Sequence, residues 1–263
     1  MLMLTHTWIL KEFLGRGRLS SDVLDLFVYN ISPDILPFHK AITSNMTHGI
    51  PRFLRLPNQY KKAAFVLFHL LVDDIAHHGK IGKTAVRNFN PNSDGYTYVK
   101  GKPLIRPIMD FYKSIGREID YSHAAYQSHL IIEMTFDLAL HQGMGSDNLV
   151  PLFCDALEYT VQNKIEEFGE VQAWLLNISE EIIADAIRQG KHTCSRDRMS
   201  RFMNVEGRVG LYLDRFGLDR NDDSTRAGIR NLLNCGMALV SDYEDFLYPT
   251  IKEIRNSPFA EYL

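Results

Sequence analysis

The sequence predicts an all-α protein. Helical periodicity runs through most of its 263 residues, alternating strand patterns are scarce, and one long stretch, 79–103, lacks a helical pattern and is rich in Gly, Asn, Pro and Lys. The apolar share of 45% and the charged share of 23% are typical of a globular chain with a buried core. The length suits one large domain or two small ones.

The periodicity predicts helices in chain order over residues 5–15, 21–29, 59–78, 104–115, 119–142, 149–161, 163–189 and 196–216, with one or two more between about 223 and 254. A Gly-rich break at 142–147 divides a histidine-rich part, 1–145, from a C-terminal helical part, 146–263. We expect the two to form one compact unit. The C-terminal part carries little readable chemistry, and both packing on the first part and a homodimer contact stay open for it.

Charge and cysteine content exclude several classes of protein. The formal charge of −3 and the pI near 6.4 give no overall attraction to nucleic acid or to an anionic membrane. The three cysteines form no CxxC pair, which favours free thiols over disulfides or a thiolate metal site. The first residues have no basic region of a secretory signal, and no window reaches the roughly 18 apolar residues of a membrane span. We therefore expect a cytoplasmic protein.

The segment from Lys62 to His78 is apolar on nearly all sides and should form a buried helix. His69, Asp73 and His77 follow one another at intervals of four, which places them on one helix face. A carboxylate in an apolar interior is costly unless it is paired or bound to a metal. The segment predicts either a cation between these side chains or a hydrogen-bonded Asp–His pair.

A second apolar segment, 122–141, carries His129, Glu133 and Asp137 at the same interval of four. Two such helices, with nitrogen and oxygen ligands and no cysteine, indicate a shared metal site. Zinc suits this donor set first, with iron and manganese as alternatives.

Three further residues are expected to contribute to this site. Asp34 follows Pro33 in what we expect to be a restricted turn after a helix. His48 comes fourteen residues later, and His6 lies on the first turn of the first helix.

The order of these residues resembles the zinc-dependent phospholipase C family, which shares its all-helical fold with the fungal single-strand nucleases. The resemblance rests on an ordered set between residues 5 and 137: His6, Pro33-Asp34, His48, His69-x3-Asp73, a following histidine and His129-x3-Glu133. It implies a multi-helix phospholipase C/nuclease-like fold with a C-terminal helical extension.

The resemblance also implies two or three zinc ions. The first would be bound by Asp34, His48, His69 and Asp73. The second would be bound by His77, His129 and Glu133. A third would lie between His6 and Asp73, the latter acting as a bridging carboxylate.

The sequence departs from the family at two of these positions. In the secreted enzymes a processed N-terminal tryptophan completes the third site, whereas this chain begins at Met1 and carries Trp8 inside the first helix, so the third site stays open. His78 competes with His77 as a ligand. Helical phase favours His77, because the four-residue step keeps it near Asp73.

The function that the resemblance implies is hydrolysis of a phosphate ester, either a phosphodiester or a phospholipid-like substrate, by a hydroxide that bridges the metal ions. Asp34 would bind metal and also help as general base. The segment 79–106 contains six basic residues and a single acidic residue, Asp94. Of the basic residues, Lys83 and Arg87 are the candidates for binding a phosphorylated substrate. The alternative is that the segment is a solvated loop without a binding role. A non-catalytic protein with a structural metal site and a helical scaffold or binding module remain as other classes.

Overall fold

A computed structural model describes residues 3–15, 23–84, 89–143 and 149–262 of the chain. These residues form α-helices and short 3-10 turns and contain no β-strand, which confirms the predicted all-α class. None of the described helices is long and apolar enough to cross a membrane. The helices are α1 (Met3–Leu14), α2 (Leu24–Ile35), α3 (Ser44–His48), α4 (Ala64–His78), α5 (Tyr96–Gly101), α6 (Ile105–Ser114), α7 (Tyr121–Gly143), α8 (Leu149–Asn163), α9 (Ile165–Leu176), α10 (Glu180–Thr193), α11 (Arg196–Phe202), α12 (Val205–Phe216), α13 (Asp223–Leu239) and α14 (Glu244–Arg255).

Helices α4 and α7 lie at the centre of the fold. Every residue of α4 from Ala64 to Ala76 is buried, and so is every residue of α7 from Gln127 to Leu140. Helix α2 packs on α4 and α8, α1 packs on α2 and α7, and α13 covers another side of α7. The two helices with histidine–carboxylate spacing are therefore the most deeply buried helices of the first half.

The predicted turn at Asp34 is wrong, because α2 continues through Pro33 and Asp34 to Ile35. Proline removes the hydrogen bond that its N–H would make to the carbonyl four residues back, here that of Tyr29. The Ser32 hydroxyl donates to the Tyr29 carbonyl at 2.7 Å and satisfies it instead. Asp34 therefore lies on the last turn of a buried helix.

Two long predicted helices are each divided in the structure. The helix predicted over 163–189 breaks between α9 and α10, where Asn177 adopts a left-handed conformation (φ 55°) and the Ser179 side chain caps α10. The helix predicted over 196–216 breaks between α11 and α12, where the Asn204 side chain accepts from the Gly207 N–H. Asparagine and serine at these points are the residue types that end and start helices.

The stretch 79–103, which we expected to lack helical structure, contains α5. This helix lies between α4 and α7 and contacts both. The segment leading into it holds the end of α4: the Ser93 hydroxyl donates to the His77 carbonyl, and the Thr97 hydroxyl donates to the Ala76 carbonyl at 2.9 Å. Short helix α3, also absent from the expectation, carries His48 as its last residue.

Gly95 lies so close to α4 that a side chain cannot be accommodated. A Cβ atom there would come within 2.1 Å of the His77 carbonyl carbon, which is backbone and cannot rotate away. We expect Gly95→Ala to lower the free energy of unfolding by about 1–3 kcal/mol, measured by urea denaturation. Gly210→Ala in α12 is the matched control, because nothing lies within 4 Å of its Cβ; it should raise stability by about 0.5–1 kcal/mol. Equal effects at both positions would contradict the close packing at His77.

Candidate metal centre

Three histidines from three helices surround the carboxylate of Asp73. The Nε2 atom of His6 lies 3.2 Å from Asp73 Oδ1, and the Nε2 atoms of His48 and His69 each lie 3.4 Å from Asp73 Oδ2. Ligand atoms on one tetrahedral zinc ion, with bonds of about 2.0–2.2 Å, are about 3.3–3.6 Å apart. The spacing therefore matches ligands that share a small cation.

The rings of His6 and His69 are buried and lack hydrogen bonds. Their side chains are 1% and 0% exposed, and the ring centroids stack 3.8 Å apart. Neither nitrogen of either ring makes a hydrogen bond with the described residues. Buried polar atoms without partners are rare because they lose their hydration without compensation. An ion beside Asp73 would supply a partner to the Nε2 atom of each ring, which already faces that carboxylate, so these residues fit a metal.

His48 connects Asp73 to Asp34. Its Nε2 atom lies 3.6 Å from Asp34 Oδ1, and Asp34, His48 and His69 offer three ligand atoms within 4.8 Å of one another. The Nδ1 atom lies 3.0 Å from the Ser44 carbonyl oxygen, an acceptor. An N–H on Nδ1 leaves the Nε2 lone pair free to face the carboxylates, which is the usual way in which a metal-binding histidine is oriented. The Thr47 hydroxyl donates to the Pro33 carbonyl at 2.8 Å and joins α3 to the end of α2.

Arg52 holds the chain after His48 against α4, a contact that no sequence pattern predicts. Its guanidinium forms a bidentate pair with Asp74, at 2.7 and 3.0 Å, and both side chains are buried. It also donates to the carbonyls of His48 (2.9 Å) and Ile50 (2.7 Å). Asp73 thus faces the histidines, while the adjacent Asp74 fixes the segment that carries one of them.

A second group of potential ligands comprises His77, His129 and Glu133. His77 Nε2 lies 2.7 Å from Glu133 Oε1, which is a direct hydrogen bond rather than a ligand-to-ligand distance. Of the two competing histidines, the structure places His77 in this group, and His78 lies outside it. Because His77 is one helical turn beyond Asp73 on α4, the two groups are adjacent.

Tyr98 of α5 covers His129. Its ring stacks on the imidazole with centroids 4.6 Å apart and planes 16° apart. We expect Tyr98→Ala to weaken zinc binding by about 10–100-fold, because side chains that orient a ligand contribute on this scale. Isothermal titration with zinc would measure the change. Tyr98→Phe keeps the ring and should bind zinc as the parent does; a loss as large as that of alanine would contradict the stacking role.

The acids and bases of the two groups shift one another's pKa. Burial alone would raise the pKa of Asp73, but His69, His48 and His6 hold it well below its usual range. Burial works against the charged form of His48, yet Asp34 and Asp73 raise its pKa to about 10. Burial lowers the pKa of His129 to about 4, which keeps this ring neutral. Without a metal, His48 therefore carries a proton on each ring nitrogen, and an ion bound at Nε2 would displace one of them, whereas His129 is neutral and Asp73 is ionised.

His6 is positioned by contacts at the start of α1. Asp137 shares the four-residue interval of His129 and Glu133, but its carboxylate accepts from the N–H groups of Leu4 (3.3 Å) and Thr5 (3.0 Å) and from the Thr5 hydroxyl (2.8 Å). It therefore caps the N-terminus of α1, where backbone N–H groups lack helical partners. Asn30 donates to the His6 carbonyl at 2.9 Å.

The basic stretch between 79 and 106 is partly neutralised. Lys100 pairs with Asp242 at 2.9 Å and with Asp245 at 2.7 Å, so its charge is directed to the start of α14 rather than to a substrate. The Lys83 side chain is exposed, and its carbonyl accepts from the Arg52 N–H at 3.2 Å. Arg87, the other candidate substrate-binding residue, lies outside the described residues. A substrate role for Lys83 stays a prediction.

Fold and site together define an all-α protein with buried histidine–carboxylate groups that could hold metal ions. No family model, no curated protein and no solved structure matches the chain. The geometry of the site and the order of its residues are therefore the features that indicate a function.

Proposed function

We propose that this protein is a zinc-dependent hydrolase of phosphate esters. The observation that carries the proposal is the position of Asp73, whose two oxygens face the Nε2 atoms of three histidines at 3.2–3.4 Å. The order of the candidate ligands along the chain, which resembles the zinc-dependent phospholipase C family, supports the same function. Imidazole and carboxylate donors without thiolate favour zinc, with iron or manganese as alternatives.

The two groups of ligands are adjacent, as a binuclear site requires. Asp34, His48, His69 and Asp73 would hold one ion, and His77, His129 and Glu133 a second. His6 adds a further nitrogen beside Asp73, and a third ion there remains part of the proposal. When bound, paired zinc ions would polarise a phosphoryl oxygen and supply a nucleophile near neutral pH.

The exposed side of the site indicates where a substrate would approach. The side chains of His48 and His77 are 26% and 27% exposed and that of Asp34 is 16% exposed, whereas His6 and His69 are almost fully buried. A phosphate ester would therefore meet Asp34, His48 and His77 first. Asp34 is a ligand in this proposal, and its additional role as general base rests on the family resemblance.

Aromatic side chains form a rim beside the second group. The ring centroid of Tyr126 lies 5.0 Å from that of His129. The ring of Phe89 is half-exposed, and its centroid lies 5.8 Å from that of Tyr126 and 5.9 Å from that of Tyr98. Apolar surface next to a polar site is typical of binding surfaces. The rim favours a substrate whose phosphate carries an apolar or aromatic substituent, such as a phospholipid-like ester, over a simple sugar phosphate.

A screen with bis(p-nitrophenyl) phosphate and p-nitrophenyl phosphate tests the proposal and separates diesters from monoesters. We expect hydrolysis that a chelator abolishes and added zinc restores. Absence of turnover on these and on short-chain phospholipid esters, in protein that holds zinc, would overturn the catalytic proposal.

A structural metal site is the second candidate function. The 2.7 Å hydrogen bond between His77 and Glu133 favours it, because this pair is satisfied without an ion and leaves one group alone to bind metal. One equivalent of zinc and no turnover would then be the result. A helical scaffold or binding module, in contrast, would bind no metal at all.

A further inference from the structure

A pocket separate from the metal ligands lies between the start of α1, α7 and the α10–α12 region. Its cavity volume is about 160 Å³. Most of its wall is apolar or sulfur-containing, and includes Met3, Phe38, Met199, Phe202 and Leu211. Met3 lies one turn before His6 on α1, and Asp137, which also lines the pocket, lies one turn after Glu133 on α7. The pocket is thus close to the candidate metal centre but uses none of its ligands.

Arg208 lines this pocket with donors that the protein does not satisfy. The residue is 4% exposed, and its Nε atom makes no hydrogen bond with the described residues. Its Nη2 atom is 3.7 Å from Asp137 Oδ2 and 3.9 Å from Met203 Sδ, both longer than the 2.7–2.9 Å of a strong charge-assisted bond. A buried guanidinium with unused donors indicates an anionic partner that enters the pocket.

The balance of charge also favours an anion. Arg198, on α11, lines the same pocket and has no hydrogen bond or ion pair among the described residues, whereas its neighbour Arg196 pairs with Asp155 at 2.6 Å. Among the residues that the structure describes, Asp137 is the one acidic side chain that lines the pocket, and the N-terminus of α1 already occupies its oxygens. Two arginines and one aspartate sum to a charge of +1, which a single monoanion neutralises.

We propose that this pocket binds an amphipathic carboxylate, with its head on Arg208 and Arg198 and its tail against the methionines and phenylalanines. A cavity of similar volume, about 150 Å³, holds a benzene molecule, so a tail of about six to eight carbons fits. A carboxylate matches the +1 charge better than a phosphate monoester, which carries about −1.5 to −2 at neutral pH. Methionine-rich walls adapt to flexible chains.

Isothermal titration of the zinc-loaded full chain with octanoate tests the proposal. We expect one octanoate per chain, with octanol and acetate at least about tenfold weaker, because each lacks either the charge or the tail. Arg198→Gln should weaken octanoate binding at least about tenfold. Arg196→Gln is the matched control, since it removes the same charge from the same helix but from a residue that does not line the pocket; it should bind octanoate as the parent does.

Arg208→Gln leaves Asp137 buried without its counter-ion and can unfold the chain, so Leu211→Trp, which fills the pocket, serves as the second variant. It should abolish octanoate binding while circular dichroism and bound zinc stay unchanged. Octanoate that binds equally well to Arg198→Gln and Leu211→Trp is held elsewhere, for instance on zinc, and overturns the proposal. Octanol or octyl phosphate that binds as tightly as octanoate overturns it as well. Because the pocket uses no metal ligand, octanoate binding and zinc content can fail independently.

Discussion

Replacing Asp73 with alanine is expected to reduce bound zinc from two or three equivalents to about one per chain, the ion of the second group, and to abolish phosphoesterase activity. The carboxylate is the common neighbour of His6, His48 and His69, and its loss removes one of the two negative charges, the other being that of Asp34, that would balance a divalent cation in the first group. Metal ions contribute several kcal/mol to transition-state stabilisation, so hydrolysis should fall by at least about a thousandfold. Elemental analysis and the p-nitrophenyl ester assay measure the two effects.

The matched control is Asp120→Ala, which removes an aspartate from an exposed Asp–His pair. The Oδ1 atom of Asp120 lies 2.9 Å from His123 Nδ1, but both side chains are more than half exposed. Neither residue belongs to a group of potential metal ligands. Zinc content and activity should stay at the parent level. A folded Asp73→Ala variant that retains two equivalents of zinc would show that Asp73 is not at the centre of the site.

Replacing Arg52 with methionine is expected to lower the free energy of unfolding by about 3–5 kcal/mol, because it leaves Asp74 buried without its partner. In a chain of this size that corresponds to a fall in melting temperature of roughly 6–20 °C. The same change removes the donors to the His48 and Ile50 carbonyls, so zinc should also bind more weakly. Differential scanning calorimetry with and without zinc separates the two effects.

Arg188→Met tests whether the loss of stability in Arg52→Met arises because the Arg52–Asp74 pair is buried. Arg188 pairs with Asp185 at 3.1 Å, and both side chains are more than half exposed. Exposed pairs contribute about 0–1 kcal/mol, so this variant should melt close to the parent. Similar losses in the two variants would show that the Arg52–Asp74 pair has no special role in the fold.

The features that the sequence predicts well are those that helical geometry fixes locally. His69, Asp73 and His77 share a face of α4 because a four-residue step nearly completes one turn, and the same step brings His129 and Glu133 together on α7. The nearly all-apolar composition of both segments predicts their burial, and the structure buries both. The helical class follows from the same periodicity.

The features that the sequence did not reveal depend on contacts between distant segments. Nothing in the spacing of Tyr98 shows that its ring covers His129, since α5 was expected to be part of a loop. Asp137 has the spacing of a ligand, yet the position of α1 makes it a helix cap. The break at Asn177 could have been found from local residues alone, because an asparagine before a serine and two glutamates is a signal for one helix to end and another to begin.

The number of metal ions bound per chain tests the central claim most directly. Protein prepared without a histidine tag should be analysed for zinc, iron and manganese by elemental analysis. Two or three equivalents of zinc are the result we expect from the two adjacent groups of ligands. Protein that carries no metal, and that takes up none when zinc or manganese is added, would contradict the metal centre and the hydrolase function proposed from it.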